Sequence, residues 1–174
     1  MSLNFGGELF KQSAQYDDNG NLYTSLNDDL IRIAVFGGDI DEGSVFEAFD
    51  GSLTTYIGCI SDIGAGGVGS KYITITLDRV YKNMVCTLYY SAHSNGGDAG
   101  VRVTLQGSED NSTWSDLSST LEDTSAAPTE VFGSYSGLVT AKYLRLKINK
   151  YFYNSAVNVC GGRIYEISLF RRTS

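Results

Sequence analysis

The chain has 174 residues, is 42% hydrophobic and carries a formal charge of −7. That length and apolar content exclude global disorder and suit one domain plus an extension. The acidic balance excludes a nucleic-acid backbone as the main partner, because such binding needs clustered Lys and Arg. Residues 1–12 show no basic start followed by an apolar run, so no export signal is visible. No apolar stretch approaches the ~18 residues of a spanning helix. The expectation is a soluble chain made in the cytoplasm, with no membrane insertion.

In chain order, residues 1–40 are expected to form an N-terminal arm. Within it "QSAQYDDNGNLYTSL" reads as a hairpin with "DDNGN" as its turn. It has few large apolar residues, so it either lies on the main domain or reaches a neighbour. Residues 41–174 are expected to form that domain. "LIRIAVF" (30–36), "KYITITL" (71–77), "MVCTLYY" (84–90), "VRVTLQGS" (101–108), "KYLRLKI" (142–148) and "RIYEISLF" (163–170) all read as strands. In "KYLRLKI", Leu144, Leu146 and Ile148 oppose Tyr143, Arg145 and Lys147, which buries one face and wets the other. Short strands between Gly, Asn, Asp and Ser loops indicate an all-β sandwich.

The chemistry points to binding rather than catalysis. His93 is the one histidine, in "YYSAHSNGGDAG", and no nucleophile-elbow sequence accompanies it. The glycines of "DIGAGGVGS" (62–70) do not lie between a strand and a helix, so a phosphate cradle is not indicated. Cys59, Cys86 and Cys160 have no zinc spacing. Cys86 sits in an apolar strand as a small core residue. Cys59 and Cys160 are read as two free thiols or as one disulfide, an odd count leaving the pairing open. "AFDGSLTTYIGC" (48–59) holds several oxygen ligands in one turn. It is read either as a calcium seat or as a metal-free turn in which Asp50 accepts backbone N–H bonds.

An ordered set of motifs resembles the discoidin family of coagulation-factor C-type domains, within the wider galactose-binding-like group that includes carbohydrate-binding modules. Ala48, Asp50, Gly51, Thr55 and Tyr56 match its opening turn. Ser108, Asp110, Trp114 and Leu117 match its central strand-turn. Lys142, Tyr143 and Arg145 match a late strand, and Glu166 between Ile164 and Ile167 matches the closing one. The likeness covers about residues 45–170. Ser52 stands where Asp or Asn is common, and Tyr56-Ile57 replaces the usual Trp.

The resemblance implies a discoidin-like jelly-roll β-sandwich. It also implies a structural calcium held by Asp50, Thr55 and Glu166 with a carbonyl such as that of Ala48. Trp114 is expected as a core pin. Ligand-binding loops are expected at one end of the sandwich. They carry Tyr56, His93, Asn95, Tyr151 and Tyr153, residue types suited to stacking on a sugar ring and reaching its hydroxyls. The partner is a glycan or a protein surface.

The leading expectation is a non-catalytic bacteriophage virion protein (tail, fibre or capsid decoration), made in the host cytoplasm. It would assemble as an oligomer or on a larger particle through its N-terminal arm. The alternative is a carbohydrate-binding module of a secreted glycoside-active enzyme, working outside the cell.

Overall fold

The structure, a computed structural model, describes residues 15–16, 22–25, 34–59, 69–95, 100–124, 128–152 and 160–172. At some strand ends, including Asn95, Tyr151 and Cys160, it describes the backbone alone. The strands are β1 (Gln15–Tyr16), β2 (Leu22–Ser25), β3 (Ala34–Gly38), β4 (Ile57–Cys59), β5 (Gly69–Asn95), β6 (Gly100–Ser108), β7 (Ser115–Asp116), β8 (Leu121–Asp123), β9 (Pro128–Phe152) and β10 (Cys160–Arg172). One 3-10 turn, Val45–Ala48, precedes β4. Every strand pairing is antiparallel. No helix among the described residues is long and apolar enough to cross a membrane.

The long strands β5 and β9 explain the architecture. Their mutual pairing slips between Thr76 and Tyr81 and again between Tyr81 and Met84. Asn83 there takes a left-handed φ of 52°. Extra residues on one strand bend it sharply, so β5 and β9 turn a corner together and the sheet folds into two layers. The first holds β3, residues 69–77 of β5, residues 143–150 of β9, and β6 flanked by β7 and β8. The second holds residues 128–139 of β9, residues 84–95 of β5, and β10. Both β4 and β2 lie on the outer edge of β10, at residues 162–164 and 170–172. From β4 onward the chain passes repeatedly between layers, the path of a jelly roll. The expected all-β sandwich is the fold that forms.

The core lies between the layers and follows the strand period of two. Ile73, Ile75 and Leu77 face it from β5, and Val101, Val103 and Leu105 from β6. Leu144, Leu146 and Ile148 face it from β9, as the alternation of that segment predicts. The second layer supplies Met84, Cys86, Leu88, Tyr90, Ile164, Ile167 and Leu169. A Cβ at Gly162 of β10 would come within 2.9 Å of Ile148 and 3.3 Å of Val103. At that point the two layers touch with no room for a side chain. Cys86 is a free, fully buried thiol pushed up to about 12 by desolvation, as befits a core residue. Cys59 is buried on β4, but the Cys160 side chain lies outside the described residues, and with it any pairing of the two.

Several expectations sharpen. β1 and β2 pair antiparallel, and β2 pairs with residues 170–172 of β10, while residues 17–21 with the expected turn lie outside the described residues. Residues 34–36 of "LIRIAVF" lie in β3, while 30–33 fall outside the described residues. Trp114 is not in the core. It is half-buried on the outer face of the first layer. There the Arg145 guanidinium lies 3.8 Å from its ring centroid and 4.4 Å from that of Tyr72. Arg145 Nε also donates to Gln106 at 2.7 Å. An indole with such a cationic partner is stable outside the core. In the Ser108 turn, Asp110 accepts from the amides of Ser112 and Thr113 at 2.8 and 2.7 Å, which holds its carboxyl well below the usual range.

Candidate functional site

β10 carries a bulge where its pairing with β5 slips between Ile164 and Glu166. Ile164 and Ile167 both face the core, so the bulge absorbs one residue of the alternation. Tyr165 and Glu166 are thereby sent to two different polar clusters on the outside of the second layer.

The first cluster centres on Arg163 of β10. Its guanidinium lies 4.2 Å from the Tyr56 ring centroid. Nη1 donates to Glu130 of β9 at 2.9 Å, and Nη2 is 3.6 Å from Glu42. The Glu130 carboxylate also accepts from the Ser91 and Tyr165 hydroxyls, each at 2.5 Å. Tyr165 packs edge-on against Tyr56 at 5.4 Å and tilted against Phe132 at 5.5 Å. Phe132 itself is 63% exposed. His93 follows Ser91 on the same outer face of β5, in register with Glu130. Three buried atoms here, Glu42 Oε2, His93 Nδ1 and Arg163 Nε, have no hydrogen-bond partner among the described residues. Buried polar groups are nearly always paired. This cluster therefore has more hydrogen-bonding capacity than the described protein groups satisfy.

Its electrostatics are settled by burial and by Arg163. Burial alone would raise Glu130, but the Ser91, Tyr165 and Arg163 donors outweigh it and hold the carboxyl below its ordinary value. Burial would lower Arg163, yet its bond to Glu130 leaves it raised. Burial and the Glu130 bond push the Tyr165 phenol up to about 12. Burial, helped by the Arg163 charge, pushes His93 down, toward the neutral imidazole.

The second cluster is the Asp-Gly turn. Asp50 accepts from the Ser52 amide at 2.8 Å and from the Thr55 hydroxyl at 2.6 Å. Gly51 has a left-handed φ of 74°, the conformation that glycine adopts without strain. Its amide donates to Glu166 at 2.9 Å. Glu166 is only 4% exposed. Burial raises its carboxyl to about 7, the Gly51 amide opposing this and Asp50 adding to it. Asp50 and Glu166 are the acidic members of this cluster, since no group of three or more metal-ligating His, Cys, Asp or Glu side chains occurs among the described residues. Two carboxylates, a hydroxyl and the carbonyls of a turn are nonetheless the hard oxygen donors that calcium accepts.

The expected site residues divide accordingly. Asp50, Thr55 and Glu166 come together, while the Ala48 side chain is fully buried in the core beside them. Tyr56 and His93 meet in the Arg163 cluster. Asn95 and Tyr151 lie at strand ends whose side chains are not described, and Tyr153 lies outside the described residues. The strands on either side of residues 60–68, 96–99 and 153–159 all end at the Arg163 end of the sandwich. Sequence reasoning missed Arg163, Glu130, Glu42, Phe132 and Tyr165. One signal was available for Arg163, a charge beside apolar residues in the strand "GGRIYEISLF". Nothing local marks Glu130 or Glu42 as its partners, because they come from separate parts of the chain.

No family model matches the chain, and no curated protein matches it. Solved structures do resemble it. One is a truncated AlyQ with CBM32 and alginate lyase domains, at 20% identity over 88% of this chain and 34% of that one, with a TM-score of 0.46. Another is a CBM32 module from a family 31 glycoside hydrolase of Clostridium perfringens, at 18% identity over 86% and 95%, with a TM-score of 0.45. A third is the family 32 module of C. perfringens NanJ in complex with galactose, at 12% identity over 86% and 99%, with a TM-score of 0.44. The chain thus spans about a third of the AlyQ protein and nearly all of the two isolated modules.

Proposed function

We propose that the chain is a non-catalytic carbohydrate-binding module whose ligand seats on the Arg163 cluster. One observation carries this reading: an exposed aromatic ring, Phe132, packs against Tyr165 in a cluster whose buried polar atoms lack a hydrogen-bond partner among the described residues. Sugar rings have one apolar face and several hydroxyls that both donate and accept. Phe132 supplies the stacking surface, Glu42 an acceptor and Arg163 a donor. The ion pairs with Glu130 and Glu42 fix Arg163 before any ligand arrives, so little ordering remains to be done on binding. The Ser91 hydroxyl donates to Glu130 rather than to a base, and Glu130 is tied to Arg163.

The expected virion role draws no support from the fold or from the solved structures that resemble it, and the carbohydrate-binding alternative is the one retained. A parent glycoside-active enzyme and an extracellular location rest on the sequence resemblance described above. A glycan array on the whole chain, followed by calorimetry on the best sugar, tests the reading. Phe132→Ala should weaken binding about tenfold with little change in melting temperature. Failure of the native chain to bind any glycan overturns it.

We further propose that the Asp-Gly turn holds calcium through Asp50, Glu166 and Thr55, with turn carbonyls completing the shell. Its support is the raised, buried Glu166 carboxyl beside a second carboxylate. The ion would pin β10 to the chain before β4. A melting temperature unmoved by chelator removes the idea.

A further inference from the structure

Residues 128–139 of β9 pair with β5 along one side, and no strand among the described residues pairs along the other. Native proteins guard open sheet edges with charges, prolines or bulges. This edge has none of these between residues 131 and 139, and its pairing with β5 runs from Val139 to Pro128 without a shift. β3, which among the described residues also pairs along one side alone, is five residues long.

The unguarded stretch has a second property. Residues 131–139 read Val-Phe-Gly-Ser-Tyr-Ser-Gly-Leu-Val. About Tyr135 the segment is its own mirror image, except that Phe132 answers to Leu138. Two such strands laid antiparallel, Tyr135 opposite Tyr135, oppose Val131 to Val139, Phe132 to Leu138, Gly133 to Gly137 and Ser134 to Ser136. A two-fold axis demands this kind of self-complementarity. The exposures follow the same symmetry. Phe132 is 63% and Leu138 60% exposed, with the exposed Ser134 and Ser136 between them. In the paired arrangement each Phe132 covers the partner's Leu138 and both serine pairs face one another.

We infer that the chain forms a two-fold dimer in which the β9 edges of two copies pair antiparallel about Tyr135, joining two second layers into one continuous sheet. The seam places Phe132 of each copy against the partner's Leu138, so the ring that the proposed glycan site uses also lies at the dimer edge. Backbone groups of the edge that no described strand pairs become ladder hydrogen bonds, and cross-strand apolar pairs add to them.

Sedimentation of the whole chain over a micromolar dilution series tests this. The native protein should run at twice its 18.9 kDa chain mass and dissociate on dilution. In Ser134→Lys/Ser136→Lys, lysine faces lysine twice across the axis, and dimer affinity should fall at least about tenfold. In Ser134→Lys/Ser136→Glu each lysine faces a glutamate, and dimerisation should return. Hydrogen exchange of the native chain gives a readout that needs no variant. The amides of residues 131–139 should lose protection as the dimer dissociates. A native monomer throughout the series overturns the inference, including one whose 131–139 amides stay protected by the chain's own residues. So does a lysine pair that dimerises as tightly as the native chain, or a lysine–glutamate pair that fails to recover.

Discussion

Glu166 sits where solvent cannot stabilise its charge, and its nearest charged neighbour, Asp50, has the same sign. Its folded-state value of about 7 lies above the ~4.3 of an unfolded glutamate. Between those values the native state binds a proton that the unfolded state has released. The chelated protein should therefore lose stability as pH rises through roughly 4.5 to 7. If the turn holds calcium as proposed, the ion would take over the role of the proton, and the loss should vanish when calcium is present. Melting curves across this range should separate the chelated and calcium-loaded samples by a few degrees at pH 7 and hardly at all near pH 5. Glu166→Gln should abolish both the pH slope and the calcium response. In this turn Asp50, Gly51 and Thr55 were legible as neighbours in sequence, while Glu166 was assigned to it only through the family resemblance. The Arg163 cluster was not legible. Its partners come from the chain before β4, from β5 and from β9, and only folding brings their side chains within bonding distance.

Elements show the same division between local and distant information. "KYLRLKI" and "KYITITL" announce themselves by alternation with strong β-formers. The first half of β9 does not, because Gly133, Ser134, Ser136 and Gly137 have low strand propensity. It becomes a strand through its pairing with residues 84–95 of β5, a contact that propensity does not report. Gly162 is a second case, reading as loop glycine in "CGGRIY" yet standing at a register position in β10 opposite Ala92. Gly162→Ala adds one methyl group against Ile148 and Val103, and should destabilise the fold by about 1–3 kcal/mol. Urea unfolding would read this as a lower midpoint at unchanged slope. An unchanged midpoint would mean that the layers separate more readily than their spacing implies.

For the whole molecule, the sandwich was legible because a two-layer core needs only one apolar face per strand. The corners were not, since they depend on bulges shared by β5 and β9. Trp114 was misplaced for a related reason. Its size suits a core, but the sequence does not reveal that Arg145 waits on the outer face to receive it. The bulge in β10 has a consequence for the molecule as a thermodynamic system. Tyr165 and Glu166 share a peptide bond, yet one hydroxyl closes the Arg163 cluster and the other residue's carboxylate closes the Asp-Gly turn. Ordering either side chain restrains the backbone that carries the other. Occupancy at the two clusters should thus be linked, and linkage is reciprocal. Whatever factor calcium adds to glycan affinity, the glycan must add to calcium affinity. Calorimetric titrations of each ligand, with and without the other, should return the same ratio. Equal affinities in both pairs of titrations would show that the bulge insulates the two clusters.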